Sequence, residues 1–405
     1  MATRTRSPSP CPAVAADASS ALPEPTLMPQ FAATAEAKAE RRRLFEREAS
    51  ASKFVGLLIG DAIGDAFGFG VEMQDAFWIR QAVVDFTVWP SNPVLFEEFR
   101  ENNVRGFYSD DAEMTVGLMK ALVKEGASGL DAEGMLRAWK AEWDLANCRP
   151  PPAVPCAGRQ GHGGFKYLMF GKSSIEDMRA RVAAQVDPGN APPMRALPLA
   201  FVADSSERER LCAVNADSTH PHPRARAASF LVAAAARYLI VEGKAQAGVL
   251  DAALAALCAS TLTDAATEAH LTKVPCQRHS CGNSENVHTL LCGPQPCPFT
   301  EKLPAGADGT TKMRGLYADS MRTVGVVLYL LRWHRGPLDV LKASIDMGGD
   351  VDSVAALCLG ILGASCGLRF GEEGGLSWSL LEELEGVEYL VAAAKAFSEW
   401  VEGQT

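Results

Sequence analysis

The chain has 405 residues, of which 47% are hydrophobic, enough for a large core. Its net charge of −10 argues against a general nucleic-acid binder, whose footprint would be basic. No apolar run reaches the ~20 residues a membrane-spanning helix needs, so no membrane partner is expected.

Residues Met1–Pro29 are rich in Ser, Pro and Ala and read as disordered. The start, MATRTRSPSP, carries Arg and Ser without acids, as organelle transit peptides do, but it shows no amphipathic helix and a plain tail accounts for it better. The eleven cysteines are scattered and their odd count does not favour a complete disulfide framework, so a reduced, cytoplasmic protein is expected. Ala35–Ala51 is charged and helix-prone and reads as an exposed lead-in; residues 1–50 are therefore set apart from the folded body.

That body opens with FVGLLIGDAIGDAFGFGVEM. Gly56, Gly60, Gly64 and Gly68 stand four apart, so on a helix they form one stripe where another backbone can approach closely. Tight helix packing explains the glycines. It does not explain Asp61 and Asp65, one turn apart on the same helix, or Glu72 where the helix should end. Asp75–Phe107, with Pro90 and Pro93, reads as a loop. Ser109-Asp110-Asp111 follows, with Ser109 or Asp110 as cap of a helix over Ala112–Lys124. Leu130–Leu145 is a further amphipathic helix.

Gly158–Gly164 (GRQGHGG) is a glycine-rich turn whose backbone N–H groups suit a phosphate, although an ordinary loop matches the same letters. Gly189–Arg195 is a loop. His220-Pro221-His222-Pro223 precedes a helix at Ala225–Val241, and Asp251–Thr261 is another. Cys276, Cys281, Cys292 and Cys297, with His279 and His288 between them, have a spacing that permits zinc; a flexible insertion with incidental cysteines fits it better. Helices are expected at Tyr317–Trp333, Leu338–Ile345 and Leu380–Val401. Strand-like alternation is scarce, which makes the body mainly α.

The most informative stretch is Ser344–Gly367. Gly348 and Gly349 permit a tight turn, and Asp350, Asp352 and Ser353 then open a helix apolar nearly all round, hence buried. Acids buried together are costly unless a cation neutralises them. Ser109, Asp110 and Asp111 form one such cluster and Asp350, Asp352 and Ser353 a second. Both offer only oxygen, which suits Mg2+, Mn2+ or Ca2+. Two capped helices that never meet would have the same sequence.

Taken in order, GLLIGDAIGDAFGFGVE, YSDDAEMTVGLMKAL, GNAPPMRALPLAF, STHPHPRARAASFLVAAA and MGGDVDSVAALCLGILGASCG resemble the ADP-ribosylglycohydrolase family over about Lys53–Gly371. The resemblance implies an all-α, compact orthogonal multi-helix bundle over residues 51–403, with a Cys-rich insertion at about 272–312. It implies two Mg2+ ions, with Mn2+ as the alternative, held by Ser109, Asp110, Asp111, Asp350, Asp352 and Ser353. Glu72, Asp350 and Asp352 would then be catalytic. Asp65, Gly161, His162, Gly163, Asn190 and His220 would touch substrate. The implied activity is metal-dependent cleavage of the glycosidic bond between ADP-ribose and a modified protein side chain, by a monomer. A hydrolase of a small ADP-ribose conjugate or other N-glycoside, or a non-catalytic crystallin-like binder, are the other readings. The chain departs from the family at Ala112 and Ser353, where Thr is usual, at Phe67, where Leu is common, and at Pro192–Pro193, which stiffen a loop.

Overall fold

The computed structural model describes residues 34–90, 106–147, 173–275, 278, 285–295 and 314–404. Among these the regular elements are all helices, apart from isolated bridges. The first helices are α1 (Ala35–Ala51), α2 (Lys53–Phe69), α3 (Ala76–Ala82), α4 (Asp110–Gly129), α5 (Ala132–Asn147) and α6 (Ile175–Ala183). The middle of the chain forms α7 (Ser205–Thr219), α8 (Pro223–Ala236), α9 (Val249–Cys258), α10 (Ala265–Leu271) and α11 (Glu285–Cys292). It closes with α12 (Ser320–Trp333), α13 (Pro337–Ile345), α14 (Val351–Ser365), α15 (Trp378–Glu382) and α16 (Val387–Glu402). No described helix is long and apolar enough to cross a membrane.

The fold is organised around the contact of α2 with α14. A Cβ on Gly56 would sit 2.2 Å from the Gly363 carbonyl oxygen, one on Gly60 2.3 Å from that of Leu359, and one on Gly64 2.2 Å from that of Ala355. At Gly68 it would fall 2.3 Å from the Asp352 Cα. The stripe therefore runs the length of both helices, which lie backbone against backbone in opposite directions. As a result the C-terminal end of α2 meets the N-terminal end of α14. Nearly every residue of both helices is buried, as the all-round apolarity of α14 requires.

A second device sets the entry to α14. Gly349 pairs with Gln74 on one side and with Leu316 on the other. Its N–H donates to the Gln74 carbonyl at 2.9 Å, and its carbonyl accepts from Met73 N–H at 2.8 Å. Gly348 and Gly349 have φ of 69° and 78°, and a Cβ on Gly349 would lie 2.0 Å from the Leu316 oxygen. Only glycine meets both demands.

Three local expectations need correction. Asp75–Phe107 is not all loop: Asp75 accepts from Phe77 and Trp78 N–H and starts α3. Leu380–Val401 is not one helix: Gly386, at φ 61°, separates α15 from α16. And α1 is not wholly exposed. Arg41 is buried and donates to the Glu382 and Leu384 carbonyls, while Phe45 packs edge-on against Phe370.

Candidate metal centre

The acids of the two halves meet. Asp65, Asp111 and Asp352 each place a carboxylate oxygen within 4.8 Å of the others, and so do Glu72, Asp350 and Asp352. Asp352 belongs to both groups. All are buried except Glu72, which is half-buried. Asp110 is in neither triad, but its charge acts on Asp65, Asp111 and Asp350, so it faces the same space.

Each side chain owes its place to a helix end. Ser109 occupies the cap position of α4 and Asp350 that of α14, yet neither side chain makes a capping hydrogen bond. Asp65 does that work for α4 instead. Its carboxylate accepts from Ser109 N–H at 2.8 Å and from Ala112 N–H at 2.9 Å. A carboxylate supplied by α2 thus satisfies the orphan N–H groups of α4 and complements its dipole. Ala112 takes part through its backbone, so this contact survives the missing Thr side chain. The Ser109 hydroxyl turns to Asp111 at 3.4 Å.

On the other side Asn190 is the hub. Its Nδ2 donates to Asp350 Oδ2 at 2.6 Å and lies 3.1 Å from Ser353 Oγ and 3.2 Å from Thr323 Oγ1. Asn190 is held because Ser320, the first residue of α12, donates its N–H to the Pro188 carbonyl and its hydroxyl to that of Gly189. Pro192 and Pro193 lie in a single buried helical turn, Ala191–Met194, so the expected stiffening is a helix start.

Burial is the main force on these carboxyls, and their neighbours' negative charge adds to it. Asp65 and Asp350 are pushed up to about 7, and Asp111 and Asp352 are raised well above the usual carboxylate range. Oδ1 of Asp111 and Oδ1 of Asp352 are buried without a hydrogen-bond partner among the described residues. Such atoms are expensive to leave unpaired. An all-oxygen donor set with buried, unpartnered carboxylate oxygens at this spacing fits a hard divalent cation.

The remaining candidates divide. His220 is half-buried, with Nδ1 2.8 Å from Thr219 Oγ1. It adjoins Gly189, whose missing Cβ would lie 3.2 Å from His220 Nε2, so it stands beside the Asn190 loop. Gly161, His162 and Gly163 lie outside the described residues, as do Cys276, Cys281, Cys297 and His279. Cys292 is buried. His288 Nε2 is 3.4 Å from an Arg80 guanidinium nitrogen, a cation that disfavours zinc at that position.

Sequence reasoning gave no role to Thr323, Asp319 or Arg195. Asp319 caps α12 through Arg322 N–H, and Thr323 lies one turn further on, against Asn190. Arg195 is fully buried and its charge acts on Asp110 and His220. Its signal was present: one arginine inside the apolar run PPMRALPLAF marks a charge that must be paired indoors.

The all-α scaffold brings acids from two helix mouths into one buried oxygen cluster of a kind that could hold a cation. A match to the ADP-ribosylglycohydrolase family spans residues 46–404, and the chain belongs to that family. It is thus a glycosidase-type hydrolase with the family's fold. Among solved structures it is similar to an ADP-ribosylglycohydrolase-related protein complex, at 18% identity and a TM-score of 0.56, over 86% of this chain and 98% of that one. No curated protein matches the chain.

Proposed function

We propose that the protein cleaves the glycosidic bond between ADP-ribose and a modified protein side chain, using two Mg2+ ions, with Mn2+ as the alternative. The observation that carries this reading is the sharing of Asp352 between two carboxylate triads, with oxygens on Asp111 and Asp352 that have no hydrogen-bond partner among the described residues. Ser109, Asp110, Asp111, Asp350, Asp352 and Ser353 would hold the ions. Bound there, the ions supply positive charge for the ribose hydroxyls and lower the pKa of a water.

The side chains do the rest. Glycoside cleavage develops positive charge at the anomeric carbon, and ionised carboxylates around it stabilise that charge. Asn190 fixes the Asp350 carboxylate, so it meets the attacking water in one orientation and takes its proton. Glu72 is the most accessible acid of the cluster and sits after the end of α2, where it positions the conjugate and hands a proton to the leaving group. His220 and the Asn190 loop contact the ADP-ribose part.

The test uses purified full-length chain, Mg2+ or Mn2+, and a panel of arginine-, serine- and poly-ADP-ribosylated substrates. Release of ADP-ribose from at least one, abolished by chelation and restored by metal, is the expected result. Binding of ADP-ribose without turnover of any conjugate would overturn the hydrolase reading in favour of a binder. Turnover of small conjugates alone would overturn the protein-directed part.

A further inference from the structure

A second polar network lies behind His220, and the proposed function does not use it. Arg195 is fully buried, with its guanidinium 3.7 Å from the centre of the Trp139 ring. Nε donates to Asn215 Oδ1 at 2.8 Å, and Nη2 donates to the Asn215 carbonyl at 2.9 Å and to Thr219 Oγ1 at 2.8 Å. Nη1 lies 3.5 Å from the Met114 sulfur. Asn215 is anchored in turn, its Nδ2 donating to the Pro192 carbonyl and to Ser229 Oγ. The cage joins α4, α5, α7, α8 and the turn after Asn190.

The directions of these bonds favour one proton position. A guanidinium only donates, so Thr219 Oγ1 must accept from Arg195. Thr219 then keeps one proton to give and one further lone pair, and its other partner among the described residues is His220 Nδ1, at 2.8 Å. Were Nδ1 to donate, the proton of the buried Thr219 hydroxyl would have no partner among the described residues; with Nδ1 accepting, both groups are satisfied and the ring proton sits on Nε2. Burial, and after it the Arg195 charge, hold the His220 pKa down to about 3, so the ring stays neutral. Nε2 lies beside Gly189, where a Cβ would come within 3.2 Å, so the ring packs against the loop that carries Asn190.

We propose that Arg195 and Thr219 are positioning residues that lock His220 as its Nε2–H tautomer, a fixed donor to an oxygen of the ADP-ribose part of the substrate; the ligand named here rests on the function proposed above. A wandering tautomer would present a donor for part of the time only, and a phosphate or hydroxyl oxygen needs a donor. The lock removes that loss before substrate arrives.

Long-range nitrogen–proton spectra of the histidine rings in the full chain test this, with His220 assigned by its loss in His220→Gln. The expected wild-type signal is a neutral ring protonated at Nε2. Thr219→Val should mix the two tautomers and weaken ADP-ribose binding, read by calorimetry with Mg2+ present, by about five- to tenfold. Thr219→Ser, which keeps the hydroxyl, should restore both readouts. A ring protonated at Nδ1 in the wild type overturns the proposal without any variant, as does Thr219→Val with unchanged tautomer and affinity. A wild type with the Nε2–H ring that does not bind ADP-ribose would overturn the proposed function and the ligand named here, while the lock itself would stand.

Discussion

At the scale of single residues, the centre is defined by carboxyls that burial makes reluctant to ionise. Asp65 and Asp350 have folded pKa values raised to about 7 from the ordinary 3.8. Without metal, the folded state therefore binds these protons more tightly than the unfolded state does. Their contribution is complete below about pH 4 and is lost as pH rises through about 7, at a cost on the order of a few kcal/mol. Divalent ions need the ionised forms, so their stabilisation grows in the same direction. The expected outcome is that urea midpoints measured in chelator and in saturating Mg2+ diverge as pH rises from about 5 to about 8. Parallel curves would show that the acids do not bind the ion. Asp350→Asn removes one titrating ligand, so it should narrow that gap and lower turnover by about 100-fold or more. Undiminished turnover of this variant with metal bound would remove Asp350 from the chemistry.

The element that matters most is the α2–α14 pair, because its glycine stripe sets the distance between the two acidic mouths. Gly64→Ala would drive a Cβ into the Ala355 backbone, with oxygen, carbon and the next nitrogen all within 2.5 Å. Backbone does not yield as a side chain does, so the helices must separate. A loss of about 2–4 kcal/mol is expected in denaturant unfolding. Gly129→Ala is the control, since no atom lies within 4 Å of its added Cβ. It should change stability by less than about 0.5 kcal/mol. The stripe was legible in the sequence as a four-residue repeat, and so was its meaning as close packing. Its partner was not, because the facing surface of α14 is built from Ala355, Leu359 and Gly363, which could pack against many helices. The same limit explains the errors at the chain's other elements. Gly386 breaks the C-terminal helix through a left-handed backbone that the apolar periodicity on either side conceals. At α3 a seven-residue helix carries too little periodicity to stand out from a loop.

For the whole molecule, the consequence is that the two ends of the chain are tied through the site. Asp110 and Asp111 come from the first half, Asp350 and Asp352 from near the end, and Asn190 from the middle. Ions bound among them would cross-link parts of the fold that unfold together. Mg2+ or Mn2+ at about a hundred times its dissociation constant should add about 2.7 kcal/mol and raise the unfolding temperature by several degrees. Asp111→Asn combined with Asp350→Asn should abolish that shift; a shift retained in the double variant would place the ion elsewhere. By itself the sequence determined the helical class, the glycine stripe, and the two acid-bearing helix starts, because periodicity, glycine spacing and the chemistry of carboxylates are local properties. Only the tertiary structure decided that Asp65 caps the helix of Ser109, that Asn190 holds Asp350, and that Asp352 stands in both triads. Those facts depend on distances between residues 44 to about 290 positions apart, which packing fixes and no local pattern encodes.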